Sequence, residues 1–231
     1  MEELEEAKAF LNSQGIISAD IGIVLGTALH AFIDRFESSI SIPYSAIPFF
    51  PVSTVEFHKG NLIFGKIGDK NVILMQGRLH AYEGYSMQQI VFPIRVMKLL
   101  GIKYLLLSNA AGGINLNLKK GDLVLIDDHI NLQSGNPLTG KNLDALGERF
   151  TDMSGPYSIT LSELLIKHAI KENIPLKKGV YAAVNGPNLE NQSRISISEN
   201  NRGRHGWHVH RSGSHRCQSH AAGLCRHIDH N

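Results

Sequence analysis

The sequence predicts an α/β fold: a single domain with a central mixed β-sheet flanked by helices. Three observations carry this. Short apolar runs of strand character alternate along the chain with segments of helical period. Each strand-like run ends in a glycine-rich or polar cluster. The composition, 42% apolar and 19% charged over 231 residues, is globular and excludes a disordered tail protein, a collagen and a coiled coil.

The elements follow in order. Residues 2–12 form an amphipathic helix, with Leu4, Ala7, Phe10 and Leu11 on one side. Ile21–Leu25 is a buried strand running into Gly26-Thr27-Ala28. Residues 61–68 and 71–75 pair through a turn at Gly68-Asp69. Ser86-Met-Gln-Gln89 fits a capping box, in which the Ser hydroxyl and the Gln amide satisfy each other's backbone N–H. The helix it opens turns Ile90, Ile94 and Met97 inward, ends at Gly101 and carries Pro93, which should kink it or move its start. Strands at 104–107 and 122–126, a helix at 158–172 and a strand at 180–184 complete the body. No repeat or linker divides residues 1–190, which read as one domain.

The chain changes character after Glu190. Residues 1–190 carry 17 Lys and Arg against 19 Asp and Glu; residues 191–231 carry 6 Arg, no Lys and 2 acids. This tail also holds 7 of the 12 His, both Cys and the only Trp, with no apolar period. The basic excess belongs to the tail alone, so charge gives the body no nucleic-acid signal. No apolar run nears the roughly 20 residues a membrane span needs. The acidic N-terminus differs from a signal peptide. No membrane partner and a cytoplasmic location are expected.

In open α/β sheets ligands collect at the carboxyl ends of strands, and four clusters lie there. They are Gly26–Leu29, Gly77–His80, Ser108–Gly113 and Asn185–Glu190. Together they offer a hydroxyl, a guanidinium, imidazoles, a carboxylate and small residues that let backbone N–H groups approach a ligand. Arg, His and Thr suit a phosphate. Taken singly, each cluster also reads as an ordinary turn or a solvated loop. Neither a Walker loop nor a dinucleotide fingerprint is present.

In this order the clusters resemble the trimeric-type purine nucleoside phosphorylases. The stretches that carry the likeness are VLGTALHAF, STVEFHKG, MQGRLHAYEGYS, SNAAGGIN, GDLVLIDDHINL, SGNPLTG, ERFTDMS and YAAVNGPNLE. They cover most of residues 20–190. The resemblance implies a purine nucleoside phosphorylase-like fold and a pentosyltransferase, with purine nucleoside and phosphate as its partners. Phosphate attacks the anomeric carbon of a purine nucleoside and releases the free base and pentose 1-phosphate. It implies a homotrimer, no cofactor beyond inorganic phosphate as co-substrate, and no metal. Methylthioadenosine phosphorylase is the nearest alternative.

The resemblance also implies roles. Thr27, Arg78, His80 and the Ala110 backbone would hold phosphate, close to Asn109, Ala111 and Gly112. Tyr82 would lie near the sugar, His58 at its 5′ side, and Tyr181 against the ribose. Leu189 would pack beneath the purine, and Glu190 would accept its ring N–H. His80 and Glu190 would carry catalysis. Phe150 would cap the sugar of a neighbouring subunit.

The tail departs from the family pattern, which continues with a Gly-Met-Ser segment. One reading is a metal-binding tail on an inactive body, given its His residues, Cys217 and Cys225; their spacing fits no closed zinc site. The other reading uses the genetic code. If one extra base follows the Glu190 codon, codons allowed by residues 191–230 can be regrouped one base later into the family's continuation. Positions 206–210 then permit Val-Gly-Met-Ser-Thr. Trp207 followed by a His codon forces Gly, and His208 followed by a Val codon allows only Met or Thr. Residues 191–231 are therefore expected to be an out-of-frame, disordered product, and this polypeptide to have weak or no activity.

Overall fold

The computed structural model describes residues 1–26, 29–52, 60–186, 207–209 and 219–225. The α/β class with mixed strand pairing and flanking helices is what these residues adopt. They gather into two compact units, Met1–Leu106 with Gly135–Asp152, and Leu107–Ser134 with Met153–Arg226.

The first unit begins with helix α1 (Glu2–Ser13), which buries Leu4, Ala7 and Leu11. Its strands are β1 (Ile21–Leu25), β2 (Glu37–Pro43), β3 (Asn61–Ile67), β4 (Lys70–Gln76) and the start of β5 (Tyr104–Gly113), in the order β2-β3-β4-β1-β5. β3 and β4 form the expected antiparallel hairpin, with Gly68 in the left-handed region at φ 60°. β1 lies parallel to β4, Ile21 opposite Val72 and Leu25 opposite Gln76. Ile23, Leu25, Ile63, Val72 and Leu74 form the buried cluster. The order delivers the C-terminal ends of β1 and β4, Gly26 and Gly77, to neighbouring positions, because parallel strands end on the same side.

Helix α2 (Met87–Leu99) packs against α1 and begins at the predicted capping box. The Gln89 N–H donates to Ser86 Oγ at 3.3 Å, and the Ser86 N–H donates to Gln89 Oε1 at 2.9 Å. Pro93 neither ends the helix nor moves its start. Of the three residues expected inward, Met97 is buried, together with Phe92, Pro93 and Val96, while Ile90 and Ile94 are only partly so. Ile94 instead lines a cavity of about 320 Å³ with Pro137, Leu138 and Leu143. Met97 covers β1 at Gly22, where a Cβ would stand 3.1 Å from its sulfur and 2.8 Å from Ile102 Cδ1.

The second unit contains the rest of β5, β6 (Leu123–Asn131), α3 (Ile159–Lys171), β7 (Leu176–Ala183), β8 (Trp207–Val209) and β9 (Ser219–Cys225). The strand order is β5-β8-β7-β6-β9, and β9 also pairs with β5, so the five close on themselves. Closure of this kind removes open strand edges. β6 runs parallel to β7, with a bulge between Ile126 and Asp128. Ser158 caps α3 by accepting from the Leu161 N–H. No residue of α3 is fully buried, and Ile159 and Ile170 are largely exposed. The core cluster here is small: Ala111 and Ile126, with Tyr157 and Tyr181 packed against them.

Two expectations change. The Ser108–Gly113 cluster is not a loop after a short strand: β5 runs to Gly113, because Gly112 and Gly113 pair with Val209 and His208. β8 and β9 fall in the part of the chain without an apolar period, where no strand was expected; β8 pairs with β5 and β7, and β9 pairs with β6.

Candidate functional site

The first unit contributes a basic cluster directly after β4. Gly77, at φ 109°, lets the chain leave the strand sharply. The next residues fold back through a 3-10 turn, Ala81–Glu83, that ends at Gly84 in the left-handed region. This turn brings four side chains together. Arg78 Nε–H donates to His80 Nε2 at 3.3 Å. His80 Nδ1 lies 2.7 Å from Glu83 Oε1, which also accepts the His80 backbone N–H at 2.9 Å. The His80 and Tyr82 rings stack at 4.7 Å.

The donors define the imidazole. A guanidinium only donates and a carboxylate only accepts, so the His80 proton sits on Nδ1 and its lone pair on Nε2. Burial, with the charge of Arg78 adding to it, outweighs the Glu83 hydrogen bond and holds His80 below its ordinary value. The ring is thus neutral near pH 7. Burial likewise raises the Tyr82 phenol. Glu83 is almost sealed from water, with its side chain 1% exposed. Its charge opposes that of Arg78 through the intervening ring.

The cluster is suited to an oxyanion. Arg78 supplies a planar fork of N–H donors, and His80, in this tautomer, can meet a phosphate only as an acceptor, its Nε2 lone pair taking a phosphate O–H in place of the Arg78 Nε–H. Glu83 was not among the expected site residues. Its signal was the His-x-x-Glu spacing, which a single turn can close into a hydrogen bond.

The second unit contributes a different surface. Asn109, Ala110, Ala111 and Gly112 form the C-terminal half of β5. Ala111 is buried, and Asn109 Nδ2 donates to the Ala110 carbonyl at 3.3 Å. Gly113 has a packing reason, since a Cβ there would stand 3.2 Å from Leu118 Cβ. Tyr181 of β7 is in register with His129 of β6. Tyr157 Oη lies 3.2 Å from His129 Nδ1, the two rings meeting edge to face. Asn185 ties the end of β7 to the 131–134 turn: its Oδ1 accepts the Ser134 N–H, and its Nδ2 donates to Ser134 Oγ.

The expected site residues therefore divide. Arg78, His80 and Tyr82 come together in the first unit. Asn109, Ala110, Ala111, Gly112 and Tyr181 belong to the second. Phe150 stands on the first unit, 87% exposed. Thr27, His58, Leu189 and Glu190 lie outside the described residues. Among the described residues, no cluster of His, Cys, Asp and Glu could hold a metal ion. No helix among them is long and apolar enough to cross a membrane.

Residues 20–204 match the Phosphorylase superfamily. The chain belongs to this superfamily. Purine nucleoside phosphorylase 1 of Bacillus subtilis is 47% identical over 194 residues, which cover 84% of this chain and 72% of that protein. The enzyme of the same name from Geobacillus stearothermophilus is also 47% identical, over 84% of this chain and 71% of its own. Among solved structures, isoform 2 of Schistosoma mansoni purine nucleoside phosphorylase, in complex with cytosine and ribose-1-phosphate, superposes with a TM-score of 0.83. It is 38% identical and covers 97% of this chain and 82% of its own. These relatives support the family resemblance read from the motifs, and they favour nucleoside over methylthioadenosine phosphorolysis.

Proposed function

We propose that this chain is built for phosphorolysis of purine nucleosides to free base and pentose 1-phosphate. The observation that carries the reading is the Arg78–His80–Glu83 hydrogen-bonded series, in a superfamily member whose curated relatives are purine nucleoside phosphorylases. In the reaction a phosphate oxygen forms a bond to the anomeric carbon as the glycosidic C–N bond breaks. The electron pair of that bond leaves with the purine, which takes up a proton. Positive charge develops on the sugar and negative charge on the base, so donors around the base and a held phosphate lower the barrier.

Arg78 and His80 hold phosphate, together with Thr27 and the Ala110 backbone. Glu83 fixes the His80 tautomer. Tyr82, His58 and Tyr181 address the sugar. Leu189 packs on the purine, Glu190 accepts its N–H, and Asn109, Ala111 and Gly112 border the phosphate. Phosphate is a co-substrate and no further cofactor takes part. The assembly is a homotrimer in which the exposed Phe150 serves a neighbour, and the enzyme works in the cytoplasm.

Residues 191–231 are read as out of frame. One structural detail supports this. The positions that regroup as Gly-Met-Ser are Trp207–Val209, and they pair with Val180–Ala182, Val209 also lying in register with Gly112. A hydroxyl-bearing residue at 209 would thus stand on the strand beside the Asn109–Gly112 segment. Sequencing the gene across the Glu190 codon tests the frame: an extra base is expected, and an uninterrupted in-frame reading overturns it. The catalytic reading is tested by following phosphate-dependent base release from inosine.

A further inference from the structure

We propose that Tyr44 is a positioning residue for the phosphate-binding segment, orienting the Gly77–Arg78 peptide so that the Arg78 guanidinium meets its ligand. The inference rests on the reading of Arg78 and His80 as phosphate ligands. It is carried by the placement of one buried phenol between two glycines.

Tyr44 opens a 3-10 turn after β2 and is fully buried. Both of its donors reach glycine carbonyls, while its own carbonyl accepts the Ile47 N–H at 3.0 Å. Its hydroxyl donates to the Gly77 carbonyl at 2.8 Å, and its backbone N–H donates to the Gly60 carbonyl at 2.7 Å. Gly77 immediately precedes Arg78, and Gly60 follows the segment that carries His58. The Gly60 N–H in turn donates to the Gln76 carbonyl at 3.1 Å. One residue thus joins the flanks of two segments expected to touch substrate.

The chemistry favours a permanent strut. Burial pushes the phenol far above its ordinary value, so it remains a donor at every working pH. The ring is held by Phe50 at 5.9 Å between centroids and passes close to Gly60. Gly77 has φ 109°, where the backbone has wide freedom and no Cβ to restrain it. A carbonyl fixed at that position sets the plane of the next peptide and the starting direction of the Arg78 side chain. Arg78 Nε in turn reaches His80.

The test uses the full chain and inorganic phosphate, followed by titration calorimetry, with the His80 ring ¹⁵N shifts as a ligand-free reading. Tyr44→Phe keeps the ring and removes the strut. It is expected to weaken phosphate binding about tenfold, the effect of one lost buried hydrogen bond, and to shift the His80 Nε2 resonance. Phe50→Leu loosens the same packing and leaves the hydroxyl in place. It is expected to lower the melting temperature and to change phosphate affinity by less than twofold. Equal loss of affinity in both variants assigns Tyr44 to packing alone and overturns the proposal. Arg78→Gln separates the two readings. If it abolishes binding while Tyr44→Phe binds as the parent does, Tyr44 is not a positioning residue and the phosphate site stands. If neither the parent chain nor the product of the gene with the extra base removed binds phosphate, the phosphate reading fails. The His80 shifts then decide for Tyr44, an unchanged spectrum in Tyr44→Phe overturning it.

Discussion

Replacing Glu83 by Gln isolates the electrostatic part of the basic cluster. The substitution keeps side-chain volume and an acceptor oxygen but removes the charge. Glu83 Oε1 accepts two hydrogen bonds, from the His80 backbone N–H at 2.9 Å and from Nδ1 at 2.7 Å. Bonds to a charged partner contribute about 1.5–3 kcal/mol, against about 0.5–1.5 kcal/mol for neutral pairs. The two bonds share one oxygen, so their losses do not simply add, and the expected destabilisation is about 1–2 kcal/mol. With a urea slope near 2 kcal/mol per molar, the unfolding midpoint falls by roughly 0.5–1 M. The same variant moves the His80 titration. The Glu83 hydrogen bond and charge raise the imidazole against the opposing effects of burial and Arg78. Loss of the Glu83 charge therefore makes His80 titrate lower still. Urea unfolding and ring-proton NMR read the two effects separately. An unchanged midpoint together with an unchanged His80 titration would refute the Arg78–His80–Glu83 series.

Three more outcomes are expected. Because folding lowers the His80 value, the unfolded chain binds more protons between that value and about 6.5. Stability should then fall as pH drops below 6.5 and level off, for this group, once the folded imidazole is also protonated; calorimetric melts from pH 8 to 5 check the sign. Ser86→Ala breaks the capping box of α2 and should cost about 1 kcal/mol in urea unfolding. Gly22→Ala places a methyl 2.8 Å from Ile102 Cδ1 and 3.1 Å from Met97 Sδ. It should destabilise by about 1–3 kcal/mol, as overpacking does, and a melt at or above the parent temperature would show that Met97 and Ile102 can yield.

Local chemistry made much of this architecture legible in the sequence. The capping box at Ser86, the hairpin turn at Gly68 and the continuous apolar runs of β1 and β4 depend on near neighbours. What escaped depends on distant ones. β2, Glu-Ser-Ser-Ile-Ser-Ile-Pro, is polar; among the described strands it pairs with β3 alone, at the margin of its sheet, and it carries a register shift between Glu37 and Ile40. β5 extends through Asn109–Gly113 because β8 pairs with it from nearly a hundred residues away. β8 and β9 have no period to read. In the site, Arg78 and His80 stood out as residue types. Glu83 had no role in the motif reading; the 3-10 turn brings its carboxylate within 2.7 Å of His80 Nδ1 and seals it from water. Tyr44 gave no sequence signal, since its role lies in two backbone carbonyls that no side-chain pattern encodes.

The proposed function is tested most directly by phosphate-dependent base release from inosine, compared between the 231-residue chain and the product of the same gene with the extra base removed. The restored product should release base and pentose 1-phosphate in equal amounts, only when phosphate is present, while the 231-residue chain shows little or none. A restored product that releases no base with phosphate would contradict the proposed function. Full activity in the 231-residue chain would contradict the reading of its tail.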